Sequence, residues 1–97
     1  MNLEILPLAL RDIDEAANYY LKQRPGLDDE FLAEIEAAVK TIVASPRQFE
    51  QVRPDIRRCV LDRFPYGVYY RVLDADLVQI IVVKHHHRRP GFGMRRK

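Results

Sequence analysis

The sequence has little of several residue types, and each shortage excludes a class of protein. Only one of its 97 residues is a cysteine, Cys59, so the chain can form neither a disulfide within itself nor a cysteine-based metal cluster. No run of eighteen apolar residues occurs, and the start of the chain lacks both a basic segment and a long apolar core. We therefore expect no membrane span, no signal peptide and a cytoplasmic location, with Cys59 as a buried apolar residue.

The length and composition fit one small domain. The chain is 47% apolar, which is enough for one hydrophobic core, but it is too short for two domains. We expect a single domain over residues 1–97, with a basic C-terminal tail from about residue 85 to residue 97.

The two halves of the chain carry opposite net charges. Residues 1–50 contain ten acidic and five basic side chains, a net charge of −5, whereas residues 51–97 contain four acidic and eleven basic, a net charge of +7. Nine of those eleven are arginines, which favour planar contact with phosphate or carboxylate groups. These arginines could therefore bind an anionic partner. Alternatively, they form a solvated basic surface that balances the charge of the acidic helical half.

The apolar pattern predicts a two-layer α+β fold. We expect a short strand over residues 2–6, ended by Pro7, an amphipathic helix over residues 8–23 and a second from about residue 28 to the break at Ser45 and Pro46. Three hairpin-linked strands follow over residues 56–63, 66–73 and 77–84. The order is β-α-α-β-β-β, with an antiparallel helical hairpin packed on one face of a mostly antiparallel sheet. The last strand is nearly all apolar, which favours a central position.

One face of this small sheet is predicted to stay uncovered, because the helical hairpin can shield only the other. Strand alternation makes five residues candidates for that open face: Tyr69, Arg71, Gln79, Ile81 and Val83. A face that is both apolar and cationic would suit a partner.

Three consecutive histidines, His85 to His87, lie in the segment KHHHRRPGFGMRRK at the end of the chain. Adjacent residues of an extended chain point to opposite sides, so these three cannot converge on one ion, and the nearby arginines would repel a divalent cation. We therefore expect no metal and no cofactor. A purification tag is also a poor fit, since residues continue after the histidines.

Two other interpretations of this segment stay open. Cleavage of RNA through its 2′-hydroxyl needs a base, an acid and cations, which histidines and arginines could supply, while Tyr66 or Tyr69 could stack on a base. Alternatively, a mobile basic arm could bind phosphates or an acidic protein surface without chemistry. Composition does not separate the two.

Three stretches together resemble the RelE/ParE toxins of type II toxin–antitoxin systems: ILPLALRDIDEAANYYLKQRPGLDDEFLAEIEAAV, RRCVLDRFPYGVYYRV and LVQIIVVKHHHRRP. The resemblance runs from the first strand to Pro90. It implies a RelE-like fold and a small toxin in a hetero-oligomer with a cognate antitoxin, with roles in growth inhibition and plasmid stabilization.

The family has two branches, one that cleaves messenger RNA in the ribosome and one that inhibits DNA gyrase by binding. Val60 and Gly67 stand where the cleaving branch would have cations, and no tyrosine follows Tyr70, so the resemblance favours the gyrase branch. A ribosome-dependent endoribonuclease and a non-toxic basic binding module are the alternatives. The residues predicted to be catalytic, if the chain is a nuclease, are Arg58, His86, His87 and Arg88. The predicted target-binding residues are Arg57, Arg58, Arg63, Arg71, His87, Arg88 and Arg89. The predicted antitoxin-binding residues are Tyr69, Arg71, Ile81 and Val83.

Overall fold

A computed structural model describes residues 2–74 and 76–97 of the chain. In chain order the elements are β1 (Asn2–Ile5), α1 (Pro7–Gln23), α2 (Leu27–Ala44), β2 (Glu50–Arg53), β3 (Ile56–Val60), β4 (Tyr66–Leu73) and β5 (Leu77–His85). The predicted α+β class and element order are confirmed. Strand β2 is an addition, because its sequence EQVR is short and polar and has no apolar alternation. None of the described helices is long and apolar enough to span a membrane.

The five strands form one sheet in the order β1-β5-β4-β3-β2. Strand β1 pairs parallel with β5, and the other neighbours pair antiparallel. Strand β5 therefore lies inside the sheet, and all of its residues from Val78 to Lys84 are buried. This confirms the predicted central strand.

The two helices cover one face of the sheet. Their buried residues recur at steps of three and four, as a helix with one apolar face requires: Ala9, Ile13, Ala16 and Ala17 in α1, and Phe31, Ile35, Ala38 and Ile42 in α2. Gly26 adopts a φ of 91° directly before α2, a conformation that favours glycine and reverses the chain between the helices. Phe31 packs against the Phe64 and Tyr66 rings, with centroids 5.3 and 5.2 Å away, which joins α2 to the sheet.

A bulge in the β4–β5 ladder changes which face the later β5 residues occupy. Tyr69 pairs with Val82 but Tyr70 pairs with Ile80, so the ladder passes over Ile81. A bulge of one residue reverses the alternation beyond it. Gln79 therefore faces away from the helices, where Arg71 binds it, whereas Val83 lies beside α1 in a cleft. The prediction that residues 79, 81 and 83 share one face is wrong for this reason.

Candidate functional site

The face of the sheet opposite the helices is covered by residues 86–97, here called the C-terminal segment. The Lys84 ammonium group, on a residue only 4% exposed, donates to three carbonyl oxygens of this segment. These belong to Arg89, Pro90 and Phe92, at 3.4, 2.8 and 3.0 Å. Three backbone acceptors around one buried cation fix the first half of the segment on the sheet.

Arg71 of β4 holds the second half of the segment in the same way. Its guanidinium donates to the carbonyl oxygens of Arg96 at 2.7 Å and Met94 at 3.3 Å. It also contacts Gln79 at 3.1 Å and Asp55 at 3.3 Å. Arg71 is therefore a structural donor that binds the end of the protein's own chain.

An ion pair between Arg96 and Asp12 joins the C-terminal segment to α1. Arg96 Nη1 lies 2.6 Å from Asp12 Oδ2, and the two side chains are only 14% and 12% exposed. Strand β1 pairs with β5 only as far as Ile80. Past that point, Arg96 donates to the Ile81 carbonyl at 3.1 Å, and Asp12 accepts from the Val83 backbone N–H at 3.1 Å. The pair thus satisfies strand-edge groups that β1 is too short to reach.

The predicted open face is therefore covered, and that expectation is wrong. Tyr69, Ile81 and Val83 are 7%, 0% and 2% exposed, and the Arg71 side chain is 13% exposed. The C-terminal segment, for which a mobile basic arm was one open interpretation, supplies the cover on the side away from the helices. Antitoxin binding by these four residues stays a prediction; access to Arg71 requires the C-terminal segment to move, whereas Val83 lies on the helix side.

Several arginines predicted to bind a target are engaged by the protein itself. Arg57 donates to the Phe49 carbonyl at 2.8 Å, and Arg58 pairs with Glu50. Arg63 contacts Glu34 at 2.8 Å and Glu30 at 3.0 Å. These guanidinium groups hold the β2 edge and the β3–β4 loop in place.

Glu34 fixes the β3–β4 loop through backbone and side-chain contacts together. Its carboxylate accepts from the backbone N–H groups of Asp62 at 3.0 Å and Arg63 at 3.2 Å, as well as from the Arg63 guanidinium. Burial alone would raise the pKa of Glu34, but the hydrogen bonds from Arg63 and the Asp62 backbone lower it overall. The carboxylate is therefore held in its charged form.

The histidine cluster forms a turn directly after β5. His85 Nδ1 accepts from the His87 backbone N–H at 3.0 Å, which fixes the orientation of the His85 ring. The His85 and His87 ring centroids lie 4.9 Å apart. Desolvation, followed by the charges of Arg58, His85 and His87, lowers the pKa of His86. A neutral imidazole at His86 is therefore favoured at neutral pH.

A cleft of about 250 Å³ lies between α1 and the start of the C-terminal segment. The Tyr66 ring meets His85 edge-on with centroids 5.3 Å apart, and the Arg88 guanidinium lies 4.2 Å from the Phe92 ring centre. Tyr19, with 56% of its surface exposed, completes the aromatic lining. Among the residues that the structure describes, no group of three His, Cys, Asp or Glu side chains is arranged to hold a metal ion.

Two further exposed arginines, Arg53 and Arg95, are not among the predicted site residues. Arg53 and Arg95 line a hollow on the outer side of the C-terminal segment, and a second hollow beside it is lined by Arg89 and Arg95. Their sequence signal was the basic half of the chain, but composition alone does not separate exposed cations from those that bind the protein's own backbone.

The element order and the basic C-terminal half describe a small α+β protein with a helical hairpin on one face of a five-stranded sheet. Residues 3–90 match the family model described as the ParE toxin of type II toxin–antitoxin system, parDE. The chain belongs to the ParE toxin family. No curated protein gives a significant match.

Solved structures share this fold at low sequence identity. A chain of the chromosomal ParDE toxin–antitoxin system from P. aeruginosa has a TM-score of 0.76 and 24% identity, over 88% of this chain and 95% of that one. A free double-arginine-to-alanine variant of the E. coli toxin RelE has a TM-score of 0.57 and 19% identity, covering 89% and 83% of the two chains. Isolated E. coli RelE has a TM-score of 0.58 and 18% identity, covering 96% and 92%.

Proposed function

We propose that this ParE-family toxin acts by binding and inhibiting DNA gyrase, and that a cognate antitoxin neutralises it. The observation that carries the proposal is the match to the ParE family over residues 3–90. The arginine contacts support binding over catalysis, because Arg57, Arg63 and Arg71 are committed to the protein's own carbonyl and carboxylate groups. Guanidinium groups held in this way are poorly placed to stabilise a phosphorane.

The contact surface for gyrase is proposed to be the turn after β5. His87, Arg88 and Arg89 are exposed there, and the turn follows directly from the rigid central strand. Arg88 is further positioned by the Phe92 ring. Exposed cations on a rigid base suit a protein partner that presents carboxylates.

Purified toxin tests this proposal in a gyrase supercoiling assay. Wild-type protein should inhibit supercoiling, and its expression without antitoxin should arrest growth with DNA-damage signalling. A variant carrying His87→Ala, Arg88→Ala and Arg89→Ala should inhibit gyrase far less. Gyrase that supercoils normally in excess folded wild-type toxin would refute the proposed target.

The antitoxin is proposed to bind at Tyr69, Arg71, Ile81 and Val83. Arg71 becomes accessible only if the C-terminal segment is displaced, because its guanidinium binds the Met94 and Arg96 carbonyls. Backbone amides of residues 92–96 should then exchange hydrogen faster in the toxin–antitoxin complex than in the toxin alone. Unchanged or slower exchange there would place the antitoxin elsewhere.

A second candidate is the ribosome-dependent endoribonuclease, which one observation favours. Burial and, after it, the charge of Arg58 lower the pKa of His86, which would suit His86 as a general base beside a phosphate-binding cation. His86→Ala and Arg58→Ala should then abolish mapped cleavage of translated messages. Intact transcripts during growth arrest would reject this candidate, and harmless expression without an antitoxin would instead indicate the non-toxic binding module.

A further inference from the structure

Some cations of the basic half have no carboxylate partner. Within residues 2–74 and 76–97, Arg58, Arg63, Arg71 and Arg96 each form an ion pair, as do several cations on the helices. Arg53, Arg89 and Arg95 are exposed and form no ion pair with any other residue of the described ranges. These three residues are here called the arginine platform.

The arginine platform is one continuous surface. Arg53 and Arg95 line one hollow, Arg89 and Arg95 line the other, and the two hollows share Gly91 and Arg95. Gly91 has open space where a side chain would stand, so the backbone between the arginines is accessible. A ligand that spans both hollows would meet all three guanidinium groups.

The segment that carries Arg89 and Arg95 is fixed from below. Lys84 binds the Arg89 carbonyl itself, and Arg71 binds the Met94 and Arg96 carbonyls on either side of Arg95. The backbone positions of both arginines are therefore set before any ligand arrives. Such pre-organisation reduces the entropy lost on binding.

Positive charge also accumulates beneath this surface. Burial lowers the pKa of Lys84, and the charges of Arg53, Arg89, Arg58 and Arg96 lower it further. A polyanion bound on the platform would relieve this mutual repulsion, and counterions would be released from both partners.

The surroundings favour a nucleic acid over a protein partner. Protein interfaces have a core of apolar and aromatic anchors. The large apolar side chains that are most exposed lie elsewhere: Leu3, Leu8, Leu10, Tyr19, Leu21, Leu32 and Val60. Asp55, the acidic residue at the rim of one hollow, is already bound by Arg71. Phe92 lines the second hollow but is only partly exposed, with the Arg88 and Arg96 guanidinium groups 4.2 and 5.2 Å from its ring centre. A surface whose exposed side chains are mainly guanidinium groups is typical of phosphate-backbone contact.

We propose that Arg53, Arg89 and Arg95 form a binding surface for the phosphodiester backbone of a nucleic acid. The surface acts without base recognition and shares only Arg89 with the proposed gyrase contact. Its test does not depend on the gyrase proposal, because binding is measured with purified toxin and nucleic acid alone.

The experiment compares two variants that lose the same charge. The platform variant carries Arg53→Gln, Arg89→Gln and Arg95→Gln, and the control carries Arg11→Gln, Lys22→Gln and Lys40→Gln on the helical layer. Fluorescence anisotropy measures binding to duplex DNA, single-stranded DNA and single-stranded RNA over a range of salt concentrations. Polyglutamate of equal charge serves as the acidic-protein probe, and circular dichroism checks that both variants fold.

The platform variant should lose about tenfold or more in affinity. For duplex DNA, the slope of the logarithm of the binding constant against the logarithm of the salt concentration should become shallower by up to about 2.7, because each of the three lost phosphate contacts contributes about 0.9. The control should bind as wild type. The nucleic acid that binds more tightly, DNA or RNA, is the one whose backbone the surface prefers, and either result supports the proposal. Equal losses in both variants, no binding by wild type, or equally tight binding of polyglutamate would overturn it.

Discussion

The buried ion pair between Asp12 and Arg96 gives a sharp test of how the C-terminal segment contributes to stability. Arg96→Ala would leave the Asp12 carboxylate, only 12% exposed, with the Val83 N–H as its remaining partner, and the Ile81 carbonyl without its guanidinium donor. Breaking one side of a fully buried pair costs about 3 to 5 kcal/mol. Because the Asp12 and Arg96 side chains are still 12% and 14% exposed, we expect Arg96→Ala to lower the free energy of unfolding by about 2 to 3 kcal/mol.

Urea denaturation measures this loss directly. For a protein of this size, a loss of about 2 to 3 kcal/mol lowers the urea midpoint by about 1 to 2 M. Arg11→Ala is the matched control, because its pair with Glu15 is exposed and should leave the midpoint unchanged. The double variant Asp12→Asn with Arg96→Ala should lose less than the sum of the single variants, since the two residues act as a unit. If Arg96→Ala matches the Arg11→Ala control, the segment does not hold the fold as described.

Three further changes test the contacts around this segment. Gly93→Ala should destabilise the protein by about 1 to 3 kcal/mol in the same urea assay, because Gly93 has a φ of 74° and an added Cβ would lie 2.6 Å from a Val82 carbon. Gly91→Ala is the control and should leave the stability unchanged, because a Cβ at Gly91 would meet open space. Lys84→Met should lower the stability by about 1.5 to 3 kcal/mol and speed amide hydrogen exchange in residues 92–96, since three carbonyls lose a charged donor. Unchanged exchange would count against the role of Lys84 in holding the C-terminal segment. Burial raises the pKa of Tyr70 to about 12 from 10.0, so the stability that its neutral phenol contributes is complete below pH 10 and is lost as the pH rises through about 12. Tyr70→Phe should therefore weaken the alkaline loss of stability in urea titrations between pH 10 and 12, and an identical pH profile in both proteins would refute the assignment.

The helices and long strands follow from local periodicity, which is why the sequence predicts them. In α2, Phe31, Ile35, Ala38 and Ile42 recur at helical spacing, and the structure buries all four. The predicted β5 strand is likewise found within one residue of its expected end. Strand β2 was missed because an edge strand gains its stability from pairing with β3 rather than from its own apolar residues.

The face assignments failed where they depended on long-range contacts. A single bulge at Ile81 separates Gln79 from Val83, and strict alternation cannot anticipate it. The position of the C-terminal segment over the open face was not predicted, because Lys84 and Arg71 bind its backbone carbonyl groups, which every residue carries. No side-chain pattern in the segment PGFGMRR indicates that Lys84 and Arg71 bind its backbone.

The roles of the arginines depend on distances between remote parts of the chain. Arg71 and Arg96 are 25 residues apart, and Arg63 and Glu30 are 33 apart, yet each pair is in contact. A basic composition is therefore consistent with two kinds of cation, those that hold the fold and those that meet a partner. Because charge removal at the first kind destabilises the fold while removal at the second kind spares it, a loss of toxicity reports target binding directly only at the second kind. Arg53, Arg89 and Arg95 satisfy that condition, whereas Arg71 and Arg96 do not.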